Sequence, residues 1–180
     1  MRAFVAIAIP DPVVHALETV QQALPVGRAV DPDQLHLTLA FLGEQPLERL
    51  EAAHEALEEI ALPAFELRLR GLGLFDEHRR PATLWAGVAD DGALRGLRAR
   101  VLGALHAAGL SLERRRFRPH VTLARLSALS AVEEERLAQF LGRWESFPSP
   151  PFTVRGFGLW RSTLRPSGAI HEELAHYPLV

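Results

Sequence analysis

Apolar and polar positions follow the same order twice along this chain. Residues 2–9 form a short apolar run closed by Pro10 and Pro12, the pattern of a first strand. Residues 12–24 then set Val13, Val14, Leu17, Val20 and Leu24 at helical spacing. A strand follows near 34–42 and stops at Gly43. The next helix, near 46–61, has Pro46 in a first-turn position and ends before Pro63. Over 64–75, Phe65, Leu67 and Leu69 alternate with Glu66, Arg68 and Arg70, as in a half-buried strand. The second half repeats this order, with a strand near 82–89, a helix near 92–108 and a strand near 116–126. A helix near 131–142, a proline-rich connection and a strand near 151–161 complete it. One more strand, near 168–177, is appended.

Two short motifs mark the repeat. His36-Leu37-Thr38-Leu39-Ala40 returns as His120-Val121-Thr122-Leu123-Ala124. Gly71-Leu72-Gly73-Leu74-Phe75 returns as Gly156-Phe157-Gly158-Leu159-Trp160. Gly71 lies 35 residues after His36 and Gly156 lies 36 after His120. Matched spacing of two separate motifs argues for a duplication more strongly than either motif does. The expected fold is α+β, built from duplicated strand–helix–strand–helix–strand units whose two antiparallel-type sheets are related by a pseudo-twofold axis. Residues 1–180 are expected to form a single bilobal domain. Its lobe-forming repeats span about 1–75 and 82–161, with the boundary in the polar stretch Asp76 to Pro81.

Side chains alternate faces along a strand. His36 and Thr38 therefore share one face, and Leu35, Leu37 and Leu39 share the other. His120 and Thr122 stand in the same way against Val121 and Leu123. Each strand can bury its aliphatic face against helices and turn its His/Thr face to a cleft. Two such faces opposed across a pseudo-twofold would surround one ligand with two imidazoles and two hydroxyls. A single buried His-x-Thr satisfied by backbone would be unremarkable; two at matched positions point to chemistry. A phosphorus centre suits this inventory best. In-line displacement needs a base on one side and an acid on the other, and imidazole serves as either near neutral pH. Threonine hydroxyls can donate to non-bridging oxygens as charge gathers there.

Composition narrows the chemistry. The chain has 180 residues, 48% hydrophobic and 23% charged, ordinary for a globular protein. It contains no cysteine, which removes disulfides, thiolate nucleophiles and cysteine-based metal sites. It also contains no lysine, so all 20 basic residues are arginine. A lysyl-nucleotide intermediate, a Schiff base and a Walker-type phosphate loop are thereby excluded. Net charge is −2, which does not describe a globally basic nucleic-acid protein. Locally, however, Arg114, Arg115, Arg116 and Arg118 precede the second His-x-Thr strand, and arginine forks recognise phosphate. A solvated, charged strand entrance is the plain alternative. His-x-x-x-His and His-Glu-x-x-His patterns are absent, so no metal and no cofactor is expected. No apolar run is long enough to cross a bilayer. The start lacks a basic leader and a cleavage pattern, and a cytoplasmic monomer without membrane contact is expected.

At these residues the chain resembles the 2H phosphoesterase superfamily, and within it the RNA 2′,3′-cyclic phosphodiesterases, also called 2′-5′ RNA ligases. The resemblance runs nearly end to end. It rests on Arg2 to Ile7, His36 to Gly43, Arg118 to Arg125 and the segment from Ser167 to Leu179. Two positions depart from the family pattern, which often has tyrosine at His171 and tryptophan or phenylalanine at Tyr177. The resemblance implies a bilobal fold with a central open groove. It implies hydrolysis of terminal 2′,3′-cyclic phosphates to 2′-phosphates, and ATP-independent joining of RNA ends through a 2′-5′ bond. Partners would be RNA with cyclic-phosphate ends, or cyclic nucleotides. His120 is the candidate base and His36 the candidate acid, an assignment that the twofold site allows to be exchanged. Thr38 and Thr122 would bind phosphate oxygens and Arg125 would neutralise them. Strict alternation sets Arg125 opposite to His120, so that role needs the strand to bend or end. Phe41, at the matching offset, would stack on a base or else pack in the core; Arg118 would also bind substrate. Among the other residues, His15, His54 and His106 are expected at the surface or at boundaries. His78 is expected in a turn with Arg79 and Arg80, and Trp85, Trp144 and Trp160 in the core. Two other readings stay open: a phosphodiesterase of another small nucleotide (2′-5′ oligoadenylate or ADP-ribose cyclic phosphate), and a non-catalytic RNA- or nucleotide-binding module.

Overall fold

The computed structural model describes residues 1–75, 82–113, 115–166 and 168–180. Its strands are β1 (Arg2–Ala8), β2 (Arg28–Ala29), β3 (His36–Glu44), β4 (Phe65–Phe75), β5 (Ala82–Ala89), β6 (His120–Leu126), β7 (Phe152–Val154), β8 (Gly156–Arg165) and β9 (Gly168–Pro178). Four helices accompany them: α1 (Asp11–Gln22), α2 (Leu47–Glu58), α3 (Gly92–Ala107) and α4 (Ala131–Trp144). The strands run in the order β7-β4-β5-β6-β3-β1-β8-β9, antiparallel throughout, with β2 added beside β6. This is the expected α+β class. The two halves of the sheet, β7-β4-β5-β6 and β3-β1-β8-β9, meet at one residue pair, Leu37 opposite Val121.

The sheet order shows that repeat and lobe do not coincide strand for strand. β4 closes the first sequence repeat, yet it pairs with β5 in the other half of the sheet. β8 closes the second repeat, yet it pairs with β1. Each repeat thus lends its third strand to the opposite lobe. The stretch expected as one strand over 151–161 divides at Arg155 for this reason. Its first part, β7, pairs with β4, and its second, β8, with β1. The expected boundary from Asp76 to Pro81, with His78, Arg79 and Arg80, lies outside the described residues, as do Arg114 and Ser167.

The helices cross in the same manner. α1 packs under β6 and α3 under β3, each beneath the other repeat's motif strand. Val13, Leu17 and Val20 of α1 are fully buried, as are Leu94, Val101 and Leu105 of α3. Against them lie Leu37, Val121 and Leu123, also without exposure. Burying one such side chain contributes about 1.5–3 kcal/mol, enough to fix which face of each motif strand turns inward. β6 begins at His120 rather than near 116, since Pro119 supplies no N–H to a ladder. The first motif strand is likewise preceded by a one-turn 3-10 helix, Pro32–Gln34, and not by strand.

Candidate active site

His36 and His120 each open a motif strand, on the face turned away from the helices. The burial pattern is identical over both motifs. Residues at offsets 1, 3 and 4 from each histidine are buried, the histidine and threonine are half-buried, and the residue at offset 5 is exposed. The antiparallel register that sets Leu37 opposite Val121 directs His36 toward Thr122 and His120 toward Thr38. Each imidazole thereby faces the other motif's hydroxyl across the seam.

Both rings are held by the same bond. Nδ1 of His36 donates to the Gln34 carbonyl at 2.7 Å, and Nδ1 of His120 donates to the Arg118 carbonyl, also at 2.7 Å. A carbonyl only accepts, so Nδ1 carries the proton and Nε2 keeps its lone pair in the neutral ring. Burial lowers the pKa of both histidines below the ordinary value, partly offset by these backbone bonds. His36 is the more enclosed and is further depressed by the charge of His120. The unliganded site therefore favours two neutral imidazoles at neutral pH.

A β-bulge in each motif settles where Phe41 and Arg125 point. In β3 the pairing with β1 passes from Thr38 to Ala40 across a single step of β1, which leaves Leu39 unpaired. In β6 the pairing with β5 passes from Thr122 to Ala124 in the same way and leaves Leu123 unpaired. One extra residue reverses the alternation. Arg125 and Phe41 consequently return to the face of His120 and His36, and Phe41 is 65% exposed. Of the two things that strict alternation allowed, bending or ending, the strand continues to Leu126 and bends, by inserting a residue.

Beyond the motifs, aromatic rings wall the two histidines. The His120 ring stands edge-on to Phe75 at 4.7 Å, with Trp85 at 6.3 Å. The His36 ring stands edge-on to His171 at 4.9 Å, with Phe4 also at 4.9 Å. Phe4 in turn stacks on Trp160. Phe4, Gln34, His36, Trp160 and His171 line a recess of about 220 Å³. His171 is tied through its backbone N–H to Oε1 of Gln34 at 3.0 Å, while its buried Nδ1 has no protein partner. Burial, with the nearby His36 charge, pushes its pKa down to about 4. Only Trp144 of the three tryptophans packs on the core as expected, between Phe140 and Phe147. Trp85 and Trp160 are site walls instead. They stand on strands central to each lobe, on the His/Thr face. Their signal in the sequence was the Gly-x-Gly pair: a Cβ on Gly73 would lie 2.2 Å from the Trp85 ring.

The remaining assigned residues are less central. Arg118 is exposed and irregular in backbone; its carbonyl, not its guanidinium, holds His120. Arg115 pairs with Glu113 at 2.6 Å, a solvated ion pair. His15 and His106 are exposed, whereas His54 meets the buried Tyr177 hydroxyl at 3.0 Å. Among the described residues no three His, Cys, Asp or Glu side chains converge as a metal would need. No helix there is long and apolar enough to cross a membrane.

Two half-sheets meeting at paired His-x-Thr strands define the architecture of two-histidine phosphoesterases. The same architecture is seen in apo LigT of E. coli, with a TM-score of 0.80 and 26% identity over 99% of this chain and 97% of that one. LigT has also been solved with 3′-AMP and with phosphate. The model of the 2′-5′ RNA ligase superfamily matches residues 9–165, and the chain belongs to that family. It is similar to the RNA 2′,3′-cyclic phosphodiesterase of Thermus thermophilus, 36% identical over 99% of this chain and 90% of that protein. It is also similar to the RNA 2′,3′-cyclic phosphodiesterase of Archaeoglobus fulgidus, 30% identical over 97% of this chain and 98% of that protein.

Proposed function

We propose that this protein hydrolyses the terminal 2′,3′-cyclic phosphate of RNA to a 2′-phosphate, with His36 and His120 as the acid–base pair. The observation that carries the reading is the matched anchoring of the two rings: each Nδ1 is spent on a backbone carbonyl, so each Nε2 is free for proton transfer on one face. The curated relatives named for this activity, at 30% and 36% identity, support the substrate class.

In the proposed step His120 takes a proton from water as the oxygen attacks phosphorus. His36 delivers a proton to the departing 3′ oxygen, and the P–O3′ bond breaks while the P–O2′ bond stays. Thr38 and Thr122 donate to the non-bridging oxygens, and Arg125 offsets the charge that gathers on them. Phe41 stacks on a base, and Arg118 meets the RNA backbone. The same displacement with an RNA 5′ hydroxyl in place of water yields a 2′-5′ bond without ATP. The complexes of LigT with 3′-AMP and phosphate support a nucleotide-phosphate ligand for this face. We assign the chain no metal and no cofactor, and read it as a cytoplasmic monomer of one bilobal domain.

A second reading exchanges the two histidines, and one observation favours it. Burial lowers both rings, and His36 alone is lowered further by the charge of the other, which favours His120 as the ring that carries the acid's proton. A substrate with sulfur as the 3′ leaving atom separates the readings. It needs no acid, so it restores turnover to whichever His→Ala variant lacks the acid.

The test of the function is turnover of cyclic-phosphate-ended RNA in EDTA, with products separated as 2′ or 3′ phosphates. The expected products are 2′ phosphates at undiminished rate in EDTA. Products with a 3′ phosphate, or full turnover in His36→Ala or His120→Ala, would overturn the reading. Turnover of mononucleotides alone would move it to a small-nucleotide phosphodiesterase. Binding without turnover would make the chain a nucleotide-binding module.

A further inference from the structure

The two bulges leave two backbone carbonyls, of Leu39 and of Leu123, at matching irregular points of the motif strands. Neither carbonyl is left to chance. Nε2 of Gln21, on α1, donates to the Leu123 carbonyl at 2.9 Å and to the Val30 carbonyl at 2.8 Å. The Val30 N–H reaches the same Leu123 oxygen at 2.8 Å. In the other lobe, Nε of Arg98, on α3, donates to the Leu39 carbonyl at 3.1 Å. α1 and α3 are equivalent helices of the two repeats, and each reaches the motif strand of the other repeat. Gln21 and Arg98 are unlike in sequence and were not legible as a pair. The folded chain brings both to the carbonyl three residues after a histidine.

Arg98 has a second contact. Its guanidinium lies over the Phe117 ring, 4.4 Å from the centroid. Phe117 is next to Arg118, whose carbonyl holds the His120 ring. Arg98 therefore also touches the segment that leads into the second motif strand.

We propose that Gln21 and Arg98 are positioning residues that lock the bulges from beneath, so that Gln21 sets Arg125 and Arg98 sets Phe41. At a bulge the extra residue is unpaired and the ladder is locally disrupted, so its shape depends on bonds from outside the ladder. Without Gln21 the Leu123 carbonyl keeps the Val30 N–H alone and the Val30 carbonyl loses its amide donor. Without Arg98 the Leu39 carbonyl loses its guanidinium donor. Each bulge is then freer to change shape and to turn the residue at offset 5 off the His/Thr face. The lock thus works across repeats: the first repeat's helix holds the second motif, and the second repeat's helix holds the first.

This rests on the reading of Arg125 and Phe41 as substrate contacts, and the test separates the two ideas. Gln21→Leu keeps the side-chain volume and removes both bonds. Amide hydrogen exchange without substrate reads the lock itself. Exchange over residues 123–125 should quicken in Gln21→Leu, and exchange over 39–41 should not; Arg98→Met should give the reverse. Kinetics on cyclic-phosphate RNA read the consequence. Gln21→Leu should lower kcat/KM about tenfold and lower kcat with it, as displacement of Arg125 does. That loss should fall below about twofold in an Arg125→Ala background and persist in Phe41→Ala. Arg98→Met should show the opposite pattern, and Arg98→Lys, which keeps a donor, should recover part of the rate. Unchanged exchange in both bulges would overturn the proposal. So would losses that multiply equally with Arg125→Ala and Phe41→Ala, because general destabilisation follows no such crossing. If exchange follows the crossing but the wild type turns over no cyclic phosphate, the lock stands and the function does not.

Discussion

The two lobes share a backbone and differ in what they show the ligand. Reading across the sheet at offset 5, the first lobe carries Phe41 opposite Phe4 and Phe4 opposite Trp160. The second lobe carries Arg125 opposite Thr83 and Thr83 opposite Phe75. One row is wholly aromatic; the other runs from a cation through a hydroxyl to a ring. One row closer to the histidines, Thr38 faces Ala6 and Gly158, while Thr122 faces Trp85 and Gly73. Everything that fixes the imidazoles is common to both halves: the carbonyl at offset −2, the threonine at offset 2 and the bulge at offset 3. What surrounds them has diverged. A symmetric pair of proton carriers can so serve a ligand that has a phosphate at one end and a base at the other.

The largest expected effects test the common part. Replacement of His36 or His120 by alanine should each lower kcat on cyclic-phosphate RNA about 10³-fold, within the range for removal of one acid–base group. The double variant should be little worse than either single one, since the two rings act in one step. A tenfold difference between the two single variants would mean that the halves are not equivalent in the chemistry.

The next pair tests the divergent part. Arg125→Ala should cut kcat/KM about 10²-fold and lower kcat, because charge on the phosphate grows toward the transition state. Phe41→Ala should cost about tenfold and act mainly through KM, as loss of a stacking ring does. Equal kcat effects of the two variants would erase the distinction between a cationic lobe and an aromatic lobe.

Much of this was legible because the duplication repeats residue types as well as spacing. The periodicities found all four helices and the principal strands, and the two motifs named the histidines and threonines. The class, α+β with duplicated units, follows from the same count. The exchange of β4 and β8 between lobes was not legible, since strand pairing leaves no mark on a periodicity of two. The bulges were invisible for a related reason. Leu39-Ala40 and Leu123-Ala124 read as the continuation of an alternating strand, and only the pairing with β1 and β5 shows the extra residue. Nor could any residue type announce the bonds of Gln34 and Arg118 to the imidazoles, because backbone carbonyls make them.

A smaller effect tests the glycines that both halves share. A Cβ on Gly73 would sit 2.2 Å from Cζ2 of Trp85, a ring held between His120 and Phe75. A Cβ on Gly158 would meet Oε1 of Glu173 at 2.4 Å and Nε1 of Trp160 at 2.7 Å. The closest of these, the Glu173 carboxylate, is the end of a flexible side chain and can yield, whereas the atoms nearest Gly73 all belong to the Trp85 ring. Gly73→Ala should therefore cost about 1–3 kcal/mol by overpacking, and Gly158→Ala less than about 1 kcal/mol. Thermal melts of the two variants check the order; an equal fall would show that the Trp85 wall is as yielding as the Trp160 wall.

The smallest effect concerns the ring that stands edge-on to each catalytic histidine. In the second lobe it is Phe75 on His120, at 84°; in the first it is His171 on His36, at 83°. The geometry matches, but only the first lobe puts a titratable ring there. Burial holds His171 at about 4, against 6.5 for the ordinary ring. Between those values the unfolded chain binds the proton and the folded chain does not, so stability falls as pH drops through this window and levels off below it. His36 and His120 act with the same sign, since their pKa values are also lowered. His171→Phe makes the first lobe like the second at this position and removes one of the three contributions. The wild type should lose more of its Tm between pH 7 and pH 5 than the variant does. Solvent screening at a half-exposed ring keeps the difference to about 2 °C. Identical losses would show that His171 is no more reluctant to take a proton folded than unfolded, and that the two edge rings are electrostatically alike.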